Sequence, residues 1–236
     1  DISLFCAFTC TVQSYAQLPI LKKGLEKTGL SLPGSNSLSQ DEVGAGLKEA
    51  LNRGIEIGVN KLSKPDGYFK DDQVKLFLPE EARQVESKLR KLGQDAKVDA
   101  AIESMNRAAE DAAKSSKELF VSAIKNLTLK DAMGILKGEN DAATQYLSAQ
   151  TRSGLEEKFK PIIKKSLDEV GATQRWETLF TSYNKIPFVQ KVNPDLVDYT
   201  TEKAIDGLFI QVAKQELEIR KNPSARASDL LKKVFG

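Results

Sequence analysis

Asn106, Arg107 and Glu110 fall within little more than one helical turn, and Arg220 and Arg226 form a second polar region near the C-terminus. Arg107 precedes Glu110 by three residues and Asp111 by four, so either carboxylate can meet the guanidinium along a helix surface. Such a group could bind an anion or a sugar. The simpler account is an ion pair beside one buried amide, the two together tying helices to each other. If the two regions meet, Glu110 faces Arg220 or Arg226 across a helix interface and fixes how the C-terminal segment docks.

Other carboxylates are plentiful, among them Asp131, Asp141, Asp195, Asp198 and Asp206. A pair of them could hold a hard cation or hydrolyse a glycoside. Asp131, Asp141 and Asp195, however, stand where helices are expected to start, and helix capping accounts for them. Asp66 belongs to a turn, and Asp71 and Asp72 follow it without the spacing of a calcium-binding loop. No serine sits in a G-x-S-x-G setting, and neither a P-loop nor a G-x-G-x-x-G run occurs. Serine–lysine chemistry leaves no mark in a sequence where both residues are everywhere.

The chain contains no histidine, and its two cysteines, Cys6 and Cys10, lie in the apolar run 2–12. Histidine is the commonest general acid–base near neutral pH and the commonest nitrogen ligand for metals. Residues 2–12 carry no charge, and the small residues Ser14 and Ala16 follow at the two positions a signal peptidase reads. We read 1–16 as a signal peptide truncated at its front, with the mature chain starting at Gln17. The protein is then exported, to a periplasmic or extracellular compartment, without a histidine or a cysteine. Zinc, copper and haem find few ligands in such a chain, and no cofactor is implied.

The elements that position these residues are helical. Residues 17–38 read as an N-terminal segment, with a short amphipathic helix over 18–30 and a linker, SLPGSNS, over 31–37. Residues 39–236 read as one helical domain. Ser39 and Glu42 form a capping box that opens a helix with Val43, Leu47, Leu51, Ile55, Val59 and Leu62 on one face. Gly54 and Gly58 on that helix predict close approach of another backbone. Pro65-Asp66-Gly67 makes a turn. Residues 74–78 form a short extended segment without a partner strand, and a helix follows from Pro79 to Leu92.

The alanine-rich run 98–114 predicts a central helix, broken near Ser115-Ser116 and continued over 119–127. Thr128 and Asp131 cap a short helix. Asn140 or Asp141 starts a longer one that Pro161 should kink or divide. Thr173 to Tyr183 carries Trp176 and Tyr183, which could line a pocket but more simply pack in the core. Asp195 caps a helix to about Arg220, with Leu208, Phe209, Val212 and Leu217 turned inward. Pro223 ends it, and Ser228 starts a terminal helix whose Leu230, Leu231, Val234 and Phe235 dock on the domain. The expectation is an all-α, single multi-helix domain of about nine helices. Net charge is small, 35 basic against 33 acidic residues, which gives no sign of nucleic-acid binding. The apolar run 2–12 is eleven residues, too few for the roughly 18 that span a bilayer, and no other apolar run approaches that length. The basic C-terminus, with Arg220, Lys221, Arg226, Lys232 and Lys233, could touch a protein or an anionic surface, or simply favour helix dipoles.

Several stretches together resemble a known family. They are Met105-Asn106-Arg107-Ala108-Ala109-Glu110, Asp141-Ala142-Ala143-Thr144-Gln145-Tyr146-Leu147, Gly207-Leu208-Phe209, Ile219-Arg220-Lys221-Asn222-Pro223 and the final seven residues. Gly54-Ile55 and Lys64-Pro65-Asp66-Gly67-Tyr68-Phe69 fit as well. In order, from about Gly46 to Gly236, they resemble the bacterial family catalogued as domain of unknown function 4197. The resemblance implies an exported helical domain and brings no activity, ligand or catalytic residue. The sequence therefore points to an exported, non-catalytic protein that binds a ligand or partner or supports the envelope. The alternative is an enzyme working with carboxylate, Ser/Lys or Tyr chemistry.

Overall fold

Ser39 opens the first described helix as its side chain accepts the Glu42 N–H while the Glu42 carboxylate accepts the Ser39 N–H. Two backbone donors at the open end of a helix are thereby satisfied. The computed structural model describes residues 39–189, 191–193, 195–226 and 228–235. The leader 1–16, the amphipathic segment 18–30 and the linker 31–37 lie outside the described residues. Nine α-helices follow among those described: α1 (Gln40–Leu62), α2 (Arg83–Lys91), α3 (Asp95–Ala113), α4 (Lys117–Asn126), α5 (Leu129–Lys137), α6 (Ala142–Glu169), α7 (Ala172–Tyr183), α8 (Leu196–Lys221) and α9 (Asp229–Phe235). No strand occurs among the described residues, and the fold is all-α.

The long helices α6 and α8 pack against each other, with α3 against both and α1 along α8. Alanine makes the α3 contact close. Ala108, Ala109, Ala112 and Ala113 are fully buried and leave no side chain to hold the neighbours apart. Gly54 and Gly58 of α1 do the same against α8: a Cβ at either would lie 3.4 Å from the side chain of Gln215 or Gln211. Helix α9 docks on α1, where Leu231 is fully buried and the Val234 side chain occupies the space a Cβ on Gly46 would need.

Three sequence expectations change. Helix α6 runs through Pro161 undivided. Phe159, Ile163 and Leu167 are fully buried on either side of the proline, so tertiary packing holds the helix where its own bonding is weakened. Leu217 is exposed, whereas Glu216 beside it turns inward. Asp141 stands at the start of α6 but makes no capping bond; its carboxylate takes the Gln145 side chain instead. Thr128 and Asp195 do cap α5 and α8. The short 3-10 turn at Lys114–Ser116 falls where the Ser115-Ser116 break was expected.

Candidate functional site

Helix α3 presents Asn106, Arg107 and Glu110 to the strap between α1 and α2, residues 63–79. Asn106 is fully buried. Its Oδ1 accepts the Leu76 N–H at 2.9 Å, and its Nδ2 donates to the Leu76 carbonyl at 2.9 Å and to the Ile102 carbonyl at 2.8 Å. One amide thus serves Leu76 as a neighbouring strand would, which explains how an extended segment persists without a partner strand. Four residues on, the Glu110 side chain is only 5% exposed. Its Oε1 accepts the backbone N–H groups of Tyr68 and Phe69 at 3.1 and 3.2 Å, and its Oε2 accepts from Arg107 at 2.9 Å.

Arg107 reaches back across the strap. Its second terminal nitrogen donates to Asp66 at 2.8 Å and to Glu103 at 3.3 Å. Asp111, the other partner open to Arg107 by spacing, pairs with Lys114. Hydrogen bonds to Glu110 first and Asp66 second push the Arg107 pKa up. The Asp66 carboxyl is held below its ordinary range by Lys70 first and Arg107 second. Asp66 itself adopts φ 68°, and the next residue must be glycine: a Cβ on Gly67 would sit 2.5 Å from the Lys61 and Leu62 carbonyl oxygens.

Tyr68 drives the strap into the core. It is fully buried, and its hydroxyl donates to the Ala204 carbonyl at 2.8 Å. Its ring lies against Gly207, where an added Cβ would come within 2.8 Å of Cε1. Burial first, and the Glu110 charge second, push the Tyr68 hydroxyl pKa far up, so this phenol stays neutral. At the far end of the strap the Tyr199 hydroxyl donates to the Phe77 carbonyl at 2.8 Å.

The second group forms around Glu216 of α8, which sits on the buried stripe between Val212 and Ile219. Its carboxylate accepts the backbone N–H groups of Ala143 and Thr144 at 3.0 and 2.9 Å and the Thr144 hydroxyl at 2.8 Å. Those are first-turn donors of α6, so the helix that Asp141 leaves uncapped is capped from another helix. Arg220 completes the group. Its Nε and one terminal nitrogen donate to Glu216 Oε1 at 3.0 and 2.8 Å, and that terminal nitrogen also reaches the Ile135 carbonyl near the end of α5 at 2.8 Å. Arg226 folds back onto α8, donating to the Ile219 and Arg220 carbonyls at 3.1 and 2.9 Å.

The five residues singled out by sequence therefore fall into two groups. Asn106, Arg107 and Glu110 hold the strap; Arg220 and Arg226 hold α5, α6 and the end of α8. Glu110 takes Arg107, Arg220 takes Glu216, and no hydrogen bond or ion pair among the described residues joins the groups. Glu216, Thr144, Tyr68 and Asp66 went unnoticed as members. Glu216 carried a signal, a charged residue in register with the apolar stripe Leu208, Val212 and Ile219 of its helix.

Beside Glu216 and Arg220 lies a cavity of about 20 Å³, otherwise lined by apolar side chains including Leu47, Leu51 and Phe235. That is room for about one water. Trp176 lies tilted against Phe180 with ring centroids 4.2 Å apart, Phe180 meets Tyr183 edge-on at 6.1 Å, and Trp176 donates to the Asn193 carbonyl, so Trp176 and Tyr183 belong to one packed aromatic group. Among the described residues no group of three or more Asp and Glu side chains is gathered as a metal site. No described helix is long and apolar enough to cross a membrane.

Comparison with curated proteins and with solved structures found no match. A family model described as protein of unknown function, DUF4197, matches residues 37–236, starting nine residues before the stretch whose resemblance the sequence carried. That match takes in the described domain, the strap and both buried carboxylates, and the chain belongs to this family.

Proposed function

We propose that this is an exported, non-catalytic helical protein that serves as a rigid scaffold, binding a partner or supporting the cell envelope. The observation that carries the reading is how the two buried carboxylates are used. Glu110 and Glu216 are the most buried acids among the described residues, and each has both oxygens engaged by donors of its own fold. A catalytic carboxylate needs an open side facing a substrate-sized cleft. The space adjoining Glu216 holds about one water, and Glu110 lies under the strap with its side chain 5% exposed. The neutral Tyr68 phenol is likewise committed, to the Ala204 carbonyl.

Export is supported by the charge-free run 2–12 and the small residues at positions 14 and 16. Cell fractionation with N-terminal sequencing tests it. The native protein should begin at or near Gln17 in the exported fraction; native protein in the cytosol that retains Cys6 and Cys10 refutes export. The scaffold reading is tested by capture of partners with wild type and with Glu110→Ala. Loss of stability with partner capture retained agrees with it, whereas unchanged stability with capture abolished makes the Asn106–Glu110 group a binding site.

A further inference from the structure

The loop between α7 and α8 presents large apolar side chains directly to solvent. Phe188 is 107% exposed and Ile186 is 52% exposed, with exposed Pro187 between them. Lys185 and Lys191, both exposed, flank this tip. The tip is held at its neck. Asn184 Nδ2 donates to the Val192 carbonyl at 2.7 Å, and its Oδ1 accepts the Val192 N–H at 2.9 Å. One amide side chain therefore closes the loop, and behind it Trp176 donates to the Asn193 carbonyl. Phe188 adopts φ 64°, a left-handed conformation that an L-aromatic residue rarely takes.

Folding stability accounts for the neck but not for the exposed tip. An exposed phenylalanine buries nothing in its own domain, and left-handed backbone disfavours it. We propose that this tip is a membrane-interface anchor that inserts Phe188 and Ile186 among the headgroups of an anionic lipid surface, with Lys185 and Lys191 paired to lipid phosphates. Two features favour lipid over a protein partner. Phe188 stands fully in solvent, and a bilayer interface accepts such a side chain without a matching pocket. The chain also carries no acidic residue between Glu177 and Asp195, so the charge of the tip is purely positive. Just beyond the loop, Asp198 is paired with Lys160, and Asp195 caps α8. Aromatic and aliphatic side chains bordered by lysines are the composition of peripheral interfacial anchors. The inference goes beyond the scaffold reading and does not depend on it.

Co-sedimentation with vesicles of mixed phosphatidylglycerol and phosphatidylcholine, against phosphatidylcholine alone, tests it. Wild type should pellet with the mixed vesicles, and salt should weaken the binding. Phe188→Gly should weaken binding about tenfold or more. It should leave thermal stability equal or higher, because glycine accepts the left-handed backbone. Lys185→Glu should weaken binding by about fivefold or more while leaving the fold intact. The proposal is overturned if wild type does not bind the anionic vesicles, or if Phe188→Gly binds them as well as wild type. It is also overturned if wild type ignores the vesicles while Phe188→Gly abolishes capture of an envelope protein, which would make the tip a protein-docking site.

Discussion

Replacing Glu216 by alanine should be among the most damaging single changes in the domain. The glutamate side chain is 6% exposed and its Arg220 partner 12%, so neither loss is readily repaired by water. The change strips the Ala143 and Thr144 N–H groups and the Thr144 hydroxyl of their acceptor. It also leaves a guanidinium beside an apolar cavity with only the Ile135 carbonyl to receive it. Breaking a buried pair from one side costs roughly 3–5 kcal/mol, because a charge is stranded. For a domain of this size that corresponds to a fall of roughly 6–20 °C in Tm. Glu216→Gln keeps the shape and one acceptor oxygen but loses the charge, and should cost about 2 kcal/mol. Urea unfolding followed by circular dichroism gives the free energies, with a constant m-value showing that the unfolded state is unchanged. Arg220→Met in the Glu216→Ala background should cost much less than in wild type, since the stranded charge has been removed. A loss below about 1 kcal/mol for Glu216→Ala, or strict additivity with Arg220→Met, would show that the carboxylate is not the keystone of this junction.

Glu110→Ala should cost about 2–4 kcal/mol by freeing the Tyr68 and Phe69 N–H groups, and limited proteolysis should then cut within residues 63–79. Because the two polar groups are separate, Glu110→Ala and Arg220→Ala should add to within about 0.5 kcal/mol in the same unfolding assay. Gly207→Ala should lower stability by about 1–3 kcal/mol by driving a methyl group against the Tyr68 ring, with Tyr68→Leu in that background relieving part of the loss. The acid side of the stability profile follows Asp66 and Asp71, whose carboxyls are lowered chiefly by hydrogen bonds from Lys70 and Lys61 respectively. A depressed carboxyl binds fewer protons in the folded state, so its contribution is full above the unfolded value, about 4, and is lost as pH falls through the folded value. Unfolding at a series of pH values should therefore show stability falling below about pH 4, and by less in Asp66→Asn.

How far the sequence foretold this depends on whether a signal was local. The capping boxes at Ser39 and Thr128 were legible because each cap and its partner lie three residues apart, with geometry set by the helix itself. The buried face of α1 was legible for the same reason. The strap was half legible: its turn residues were plain, but its anchors on Asn106, Glu110 and Ala204 lie tens of residues away and follow no period. The cap on α6 was misplaced for a like reason. Asp141 stands in the right position, yet a carboxylate from a helix more than seventy residues later takes the donors. Pro161 was expected on local grounds to kink or divide its helix, and packing overrides the division. The grouping of Glu110 with Arg220 failed because shared polarity says nothing about proximity, whereas Arg220 and Glu216, four apart on one helix, were neighbours by construction.

The central claim is that the two buried carboxylates are spent on the fold. Native-state hydrogen exchange at the Tyr68, Phe69, Ala143 and Thr144 amides tests it most directly, since these four donors lie in a loop or a first helical turn where no helical bond protects them. The account predicts slow exchange at all four in wild type. Protection should be lost at the first pair in Glu110→Ala and at the second pair in Glu216→Ala, each of which removes the acceptor. Fast exchange at these amides in wild type would leave Glu110 and Glu216 free for a ligand and contradict the account.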